Sequence, residues 1–324
     1  MTDADLGIIG GGFWGMTAAQ MAVERGYDVT IWDADHDLGA SQVAAGIIQL
    51  WWYESVTTSK MLPDWWDESY PEWAVDWLDG RVNLLDTGEL YTSFQGKDGE
   101  FRDDCYLIEE CSQLLTLQPV TEKEVGRISP TPQEDGPDWA VHFTGDREPP
   151  ATCDNLLVAA GAWTDDLLRA SDLPTVGVEP LRGRALLVEP HDYDEDPPRA
   201  YDETKDALPE SIPDSTPHTI YPRPYSHLTL RPYRDKYRFG DTTEQDLGGN
   251  EAELNRAMKK AGEIVGDYDL AEVQDGVRPV CDTITVEQIR SDLPSGVVAT
   301  GGHRVGLLLA PICARRALRL LNLW

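Results

Sequence analysis

The stretch Gly10-Gly11-Gly12-Phe13-Trp14-Gly15 decides the fold of this chain. It fits the pattern G-x-G-x-x-G and lies between an apolar run at 5–9 and a helical pattern at 16–25. In such a turn the first glycine permits a tight bend, the second lets the backbone approach a pyrophosphate, and the third brings helix and strand together. The free N–H groups at the start of the helix point toward the phosphates. The sequence therefore predicts a strand, turn and helix that bind a dinucleotide.

An acidic side chain follows at the position expected for a ribose contact. The run 27–32 predicts a second strand, and Asp33 stands at its end, 18 residues after Gly15. This is close to the spacing of about 20 residues at which an acidic residue binds the ribose hydroxyls of a dinucleotide. The unit by itself does not distinguish one dinucleotide from another.

Three later segments place small residues where a planar ring could lie. Residues 41–49 include Ala44-Ala45-Gly46, which is also compatible with a small-residue loop packed on the sheet. The apolar strand at 155–158 leads into Ala160-Gly161, and a strand, a glycine turn and a helix predicted at 312–323 follow one another from Val297. Strand ends lie at the ligand crevice of a doubly wound sheet. Because a nicotinamide domain is normally contiguous, this spread favours a flavin cofactor enclosed by the whole chain.

The composition narrows the classes of partner and site. The 324 residues, enough for one large or two interleaved domains, include 58 acidic and 27 basic side chains, a net charge of −31. Such a surface repels nucleic acid and anionic membranes, and it is typical of proteins adapted to a salt-rich cytoplasm. No run is long enough to span a bilayer, and the start of the chain lacks a basic signal region, so we expect a cytoplasmic protein.

The cysteine and histidine patterns predict neither disulfides nor a metal site. Five cysteines, with no C-x-x-C pair, indicate reduced thiols inside a cell. The six histidines are scattered, and none has the spacing of metal ligands.

At this point the chain resembles the D-amino-acid oxidase family of flavoproteins, and within it the glycine oxidase branch. The segments that carry the resemblance occur in the family's order and span the chain from end to end. They are Gly10 to Gly15, Ala44 to Gly46, Val158 to Trp163, Pro180 to Gly183, Gly276 to Pro279 and Gly302 to Pro311.

The resemblance implies an α/β fold, with a Rossmann-like FAD-binding domain and a second, antiparallel-sheet substrate domain of the α+β type. The FAD-binding domain would comprise residues 1–88, 140–175 and 281–324, and the substrate domain 89–139 and 176–280. A hairpin fits the second domain, with strands at 229–233 and 237–240.

The same resemblance implies which residues contact FAD, bound without a covalent link. Cys281 lies one position from the register at which the sarcosine oxidase branch attaches its flavin, so a buried, inert thiol is the expectation for it. The expected cofactor contacts are Gly10, Gly12, Phe13, Trp14, Gly15, Asp33, Ala34, Ser41, Ala44, Ala45, Gly46, Ile47, Ala160, Gly161, Trp163, Gly302, His303, Arg304, Gly306 and Leu307.

The candidate substrate residues are Arg278, Arg304 and Tyr225. A guanidinium holds a carboxylate through two parallel hydrogen bonds, and Arg278 matches the family position that binds the substrate carboxylate. Pairing with a surface acid is the alternative for Arg278, and a flavin or backbone contact is the alternative for Arg304. Relatives place a tyrosine where this chain has Leu228, so Tyr225 or Tyr221 would have to reach the substrate instead.

The implied activity is that of an FAD-dependent oxidoreductase. It would deaminate glycine or a small D-amino acid oxidatively, by hydride transfer from Cα to flavin N5, and pass electrons to oxygen or an electron carrier. One alternative is oxidation of a secondary amine such as sarcosine or proline. Another is a flavin-binding subunit with no turnover of its own. A homo-oligomer is compatible with all three readings.

Two further stretches carry no predicted chemistry. The tryptophans Trp65, Trp66, Trp73 and Trp77 recur at nearly helical spacing, which favours core packing over an aromatic wall or a subunit contact. Residues 189–217 are rich in Pro and Asp, and they predict a surface excursion or a lid.

Overall fold

The computed structural model describes residues 4–35, 38–44, 46–50, 62–86, 89–91, 100–102, 105–108, 110–131, 138–145, 149–191, 219–221, 228–233, 236–241, 254–255, 257–259, 261–262, 267–303 and 305–324. The predicted excursion at 189–217 lies outside them except for residues 189–191. In the described part of the chain, no helix is long and apolar enough to cross a membrane.

The described elements alternate between strands and a few helices along the whole chain. The strands are β1 (Ala4–Ile9), β2 (Val29–Asp33), β3 (Ile47–Gln49), β4 (Leu84–Asp86), β5 (Glu89–Tyr91), β6 (Glu100–Arg102), β7 (Cys105–Ile108), β8 (Thr121–Glu122), β9 (Val125–Pro130), β10 (Trp139–Phe143), β11 (Ala151–Val158), β12 (Glu179–Pro190), β13 (Thr219–Tyr221), β14 (Leu228–Tyr233), β15 (Lys236–Asp241), β16 (Tyr268–Val280), β17 (Thr285–Arg290) and β18 (Leu293–Thr300). The helices are α1 (Phe13–Val23), α2 (Tyr70–Asp79), α3 (Ser112–Leu115), α4 (Thr164–Ala170) and α5 (Gly306–Leu320), and a short 3₁₀ turn spans Gly161–Trp163.

The first sheet carries the glycine-rich turn. Its strands lie in the order β17-β18-β11-β1-β2-β8, and β10 and β9 extend it from β11. The five strands from β18 to β8 are parallel, whereas β17, β10 and β9 pair antiparallel with their neighbours. Because parallel strand ends meet at one edge, this order brings the ends of β1, β11 and β18 together.

Both faces of the first sheet are buried, as a doubly wound sheet requires. Val297 and Ala299 face a core that includes α1, α2 and α5, whereas Val298, between them, faces a core that includes α4 and β10. The predicted tryptophan packing agrees with this arrangement, since Trp77 belongs to the first core and Trp73 packs against it.

Two helices begin earlier than the sequence predicts. α1 begins at Phe13 instead of residue 16, because Gly12 is its N-cap. α5 begins at Gly306 instead of Ile312 and continues through Pro311, which is buried inside it. Proline removes one helical hydrogen bond, but residues 307–314 are all buried. Tertiary packing therefore outweighs the local helix-breaking preference of this residue.

The second sheet is largely antiparallel, which confirms the predicted fold class. Its order is β16-β12-β15-β14-β13-β5-β6, and only the pair β13–β5 is parallel among the described strands. The predicted hairpin is present as β14 and β15, with Tyr233 opposite Lys236. A further small sheet has the order β3-β7-β4.

The strands β8 and β9 lie in the first sheet. Ile128 of β9 is fully buried in the same core as Trp139 of β10, so the antiparallel pair extends the first sheet. The domain division that the resemblance implies, with 89–139 in the substrate domain, remains a prediction.

An arginine pair holds one carboxylate on the second sheet. Asp275 accepts hydrogen bonds from Arg182 at 2.6 Å and from Arg184 at 2.8 Å. Burial acts to raise the pKa of Asp275, but the hydrogen bonds and charges of the two guanidiniums hold it below its usual range. The ionised pair ties β12 to β16, the two longest strands.

A buried carboxylate fixes the connection between the two sheets. Asp165 of α4 is 7% exposed. It accepts hydrogen bonds from the backbone N–H groups of Val176, Gly177 and Val178, at 2.9 to 3.0 Å. These three residues lead from the first sheet into β12, so Asp165 sets the path of the chain between the sheets.

We expect Asp165→Ala to lower the free energy of unfolding by about 3 kcal/mol, because it leaves three backbone N–H groups without their acceptor. Chemical denaturation followed by circular dichroism measures this change. Asp166→Ala is the matched control, since its exposed carboxylate pairs only with Arg169 in the described residues. Equal effects of the two substitutions would contradict this account of the connection.

Candidate active site

A large cavity lies where the two sheets meet. Its volume is about 1090 Å³. The first sheet contributes the turns after β1, β2, β11 and β18, and the second sheet contributes residues of β12, β15 and β16. This volume exceeds the several hundred Å³ typical of a pocket for a small molecule, so a large cofactor and a small substrate can share it.

The glycine turn packs without side chains at two points. Gly10 has a φ of 108°, and a Cβ at this position would collide with the carbonyl oxygen of Ala159. A Cβ on Gly15 would collide with the carbonyl oxygen of Gly10. α1 therefore starts directly at the ends of β1 and β11, and its N-terminus faces the cavity.

Asp33 and Ser41 border the glycine turn. The Asp33 carboxylate accepts hydrogen bonds from the N–H groups of Gly11 at 2.5 Å and of Asp35 at 2.7 Å. The Ser41 hydroxyl accepts one from the N–H of Phe13 at 3.1 Å. Both side chains line the cavity, and they hold the turn in a fixed position relative to β2.

Residues 38–44, hereafter the cofactor loop, connect the glycine turn to the second sheet. The N–H of Val277 in β16 donates to the carbonyl of Leu38 at 2.8 Å, and Gly39 forms a parallel bridge with Val277. Gly276 leaves room for this contact, because a Cβ there would collide with Val43.

The turns after β11 and β18 complete the cavity wall. The hydroxyl of Thr300 donates to the carbonyl of Gly161 at 3.2 Å. The indole N–H of Trp14 donates to the carbonyl of Gly306 at 2.7 Å. These contacts bring together three pieces of chain that are far apart in sequence, as the sequence predicts for an enclosed cofactor.

Arg278 lies in the cavity wall on the second sheet. It is half-buried, and its Nη2 is 2.6 Å from the point that a Cβ on Gly183 would occupy. The N–H of His303 donates to the carbonyl of Pro279 at 3.1 Å. The turn after β18 therefore lies beside the strand position of Arg278.

The structure brings most of the predicted site residues to this one cavity. Those that line it are Gly10, Gly12, Phe13, Trp14, Asp33, Ala34, Ser41, Ala44, Gly46, Ile47, Ala160, Gly161, Trp163, Arg278, Gly302, His303, Gly306 and Leu307. Gly15 is buried behind the turn instead and acts through packing. Ala45, Tyr225 and Arg304 lie outside the described residues. The backbone of Leu228 pairs with Asp241, at the start of β14.

The sequence reasoning missed Arg238 and Gly183. Arg238 is only 6% exposed and lines the cavity from β15. Gly183 belongs to a segment that carries the family resemblance, but the sequence does not indicate its contact with Arg278. The sequence also holds no local signal for Arg238, because its burial and its partners appear only in the folded chain.

A profile of the family described as FAD dependent oxidoreductase matches residues 5–147 and 117–320. The chain belongs to this family. Among curated proteins, no sequence matches this FAD-dependent oxidoreductase.

Solved structures share its fold over nearly the whole chain. The glycine oxidase from Geobacillus kaustophilus is 16% identical with a TM-score of 0.72, covering 98% of this chain and 94% of its own. The L-alpha-glycerophosphate oxidase from Mycoplasma pneumoniae is 18% identical with a TM-score of 0.73, covering 100% and 96%. The L-proline dehydrogenase from P. horikoshii is 12% identical with a TM-score of 0.72, covering 99% and 94%.

The residues of the cavity fit FAD, the cofactor of the family. A Cβ on Gly302 would lie 2.7 Å from the Trp14 ring and 2.9 Å from Gly306, so this corner admits only a bare backbone. Ala160 and Gly161 line the same cavity beside the glycine turn, since a Cβ on Gly10 would lie 3.1 Å from the Cα of Ala160. The glycine turn and Asp33 would hold the pyrophosphate and ribose, and the small-residue surfaces would receive the ring.

Cys281 is poorly placed to attach a flavin. Its side chain is buried and is not among the described residues that line the cavity. Burial, with the nearby Asp165 charge, raises the pKa of the Cys281 thiol to about 11. The thiol is therefore protonated at neutral pH, whereas the thiolate is the reactive form.

We expect Gly12→Ala to weaken FAD binding by about tenfold or more. Gly12 has a φ of −70°, so the substitution causes no backbone strain, but the new methyl would lie 3.0 Å from the Ser41 hydroxyl, at the phosphate side of the turn. Titration of the protein against flavin fluorescence measures the change. Gly80→Ala is the control, because no atom lies near its added Cβ. An unchanged dissociation constant in Gly12→Ala would exclude this phosphate position.

We expect all flavin to leave the protein when it is precipitated with acid, because Cys281 holds no covalent link. Cys281→Ser should keep the flavin content of the wild-type protein. Yellow colour retained by the wild-type precipitate and lost in Cys281→Ser would overturn this expectation.

Proposed function

We propose that this FAD-dependent oxidoreductase oxidatively deaminates glycine or a small D-amino acid. The observation that carries the proposal is the position of Arg278, whose guanidinium stands in the cavity wall over Gly183. A planar guanidinium facing a cavity is suited to a carboxylate, which it binds through two parallel hydrogen bonds.

The protein's part in this reaction is mainly to position the substrate. FAD, when bound, accepts the hydride from the substrate Cα. Arg278 would bind the carboxylate and thereby fix the orientation of the Cα–H bond. Holding two reacting groups in the productive orientation can supply much of the reduction in the activation barrier. A neutral substrate amine needs no protein base, so a small set of positioning residues is sufficient.

Two glycines and a turn surround Arg278 in the cavity wall. Gly183 lies under the guanidinium, and Gly276 lies opposite Gly183 on β16. The turn with His303 lies beside Arg278, because the N–H of His303 donates to the carbonyl of Pro279. The guanidinium would therefore be the group of this wall that binds the substrate carboxylate.

A secondary amine such as sarcosine or proline is a second candidate. A contact between Arg278 and an α-carboxylate does not depend on the substituents of the substrate nitrogen. Structural neighbours named as iminodiacetate oxidase and L-proline dehydrogenase share this fold.

A third candidate is a flavin-binding subunit without turnover. It predicts that no amine reduces the flavin. Electrons would pass to oxygen or to a carrier in a cytoplasmic setting.

Anaerobic flavin bleaching separates these candidates. The holoenzyme is mixed with glycine, D- and L-alanine, sarcosine, proline and methylamine, and the loss of flavin absorbance is followed. The proposal predicts bleaching by glycine or D-alanine. Bleaching only by sarcosine or proline would favour the second candidate, and no bleaching by any amine would favour the third.

We expect Arg278→Ala to lower kcat/KM for the carboxylate substrate by about 10²-fold, because a buried charged contact is worth a few kcal/mol. The FAD dissociation constant should stay unchanged. Steady-state kinetics and flavin titration measure the two quantities. Arg290→Ala is the control, since Arg290 is exposed and pairs with Asp292.

Gly183→Ala provides a second variant for the same prediction. Its methyl would displace the Arg278 guanidinium without removing the charge. The expected result is a raised KM at unchanged FAD affinity. Unaltered kinetics in both variants would remove the carboxylate contact from the account.

A further inference from the structure

We propose that Arg238 is a positioning residue that holds the cofactor loop in its FAD-binding conformation. Its Nη1 donates to the carbonyl of Ala44 at 2.8 Å, and its Nη2 donates to the carbonyl of Val43 at 2.8 Å. Nη2 also donates to the side-chain oxygen of Gln274. One side chain of the second sheet thus donates hydrogen bonds to two consecutive backbone carbonyls of the loop.

The position of Arg238 in the sheet explains how it reaches the loop. Arg238 pairs with Leu187, and Gly240 pairs with Ala185. Ala185 pairs in turn with Gln274 of β16. Because side chains alternate along a strand and directly paired residues share a face, Arg238 and Gln274 project from the same face of the sheet. Gly276 and Arg278 follow Gln274 on β16 at intervals of two residues, so the side chain of Arg278 projects from that face as well. This face is the cavity wall.

The chemistry of the contact favours arginine over other residues. The carbonyls of the half-buried Val43 and Ala44 both accept from one buried guanidinium. A guanidinium offers parallel N–H groups in a rigid plane, whereas a lysine ammonium is a point charge on a flexible stem. Gln274 accepts from the same guanidinium and donates to Glu272 at 3.1 Å, so it orients the plane of Arg238.

The other end of the cofactor loop is already held by backbone contacts. Leu38 and Gly39 are bound to Val277, and Ser41 binds the start of α1. The described contacts of Val43 and Ala44 with the second sheet come from Arg238 and from the close packing of Val43 on Gly276. Ala44 lines the cavity directly. The carbonyl of Ala44 also accepts a long hydrogen bond from Cys111 Sγ at 3.7 Å, and Ala44 packs on the first core. Loss of Arg238 would therefore loosen, without fully releasing, the part of the loop that faces the cofactor.

This inference rests on FAD binding and is independent of the proposed substrate. Its test uses the holoenzyme with Arg238→Ala, Arg238→Lys and the control Arg290→Ala. The measured quantities are the FAD dissociation constant, the position of the visible flavin absorption bands, the thermal midpoint and KM for a substrate that bleaches the flavin. The expected result is an FAD dissociation constant raised about tenfold or more in both Arg238 variants, with shifted flavin bands.

Rescue by a small cation distinguishes positioning from general loss of structure. Methylguanidinium added to Arg238→Ala should restore part of the FAD affinity and return the flavin bands toward the wild-type positions, because it supplies the missing fork of N–H groups. Methylammonium at the same concentration is the matched control and should not do so. If Arg238→Ala does not fold, Arg238→Lys carries the test.

Two outcomes would overturn the proposal. FAD affinity and flavin spectrum equal to wild type in both variants would show that the loop holds its conformation without Arg238. A raised KM for substrate with unchanged FAD affinity and spectrum would assign Arg238 to the substrate instead. Neither result depends on whether the substrate is glycine, because both outcomes are judged by the FAD affinity and the flavin spectrum.

Discussion

The contact on which the rest of the structure depends is the side-chain-free packing of α1 against the ends of β1 and β11. Gly10 and Gly15 meet backbone at distances that no Cβ would permit. This packing aims the start of α1 at the crevice where the parallel strands end. The turns after β11 and β18 then close around the same space. A single steric condition at two glycines therefore defines where the cofactor lies.

The two sheets present different charges to the cavity. The chain carries a net charge of −31, and the side of the cavity formed by the first sheet includes Asp33, Asp35, Glu122, Glu124 and Asp166, whereas the second sheet presents Arg184, Arg238 and Arg278. Guanidiniums in a partly enclosed space of low dielectric act more strongly than the same groups in water. The side formed by the second sheet therefore favours an anionic group, although the net charge of the chain is strongly negative.

The features that the sequence predicted well are local. The glycine turn, Asp33 and the β14–β15 hairpin are each contained in a short window, so residue type and spacing are sufficient to identify them. Arg238, Asp165 and the full extent of α5 depend on partners far along the chain. The acceptors of Arg238 lie in the cofactor loop, and Pro311 is tolerated only because α5 is buried against α1 and β18. No local pattern contains that information.

The order of segments along the chain has a consequence for biosynthesis. The glycine turn leaves the ribosome before β11, which pairs with β1, and before β18, whose following turn closes the cavity. The hairpin that bears Arg238 also emerges late. A nascent chain therefore has an incomplete nucleotide crevice, with the β11 edge unpaired, until β18 and α5 have emerged. Flavin loading follows that step, and chains that are made faster than the crevice closes should accumulate as colourless, aggregation-prone species.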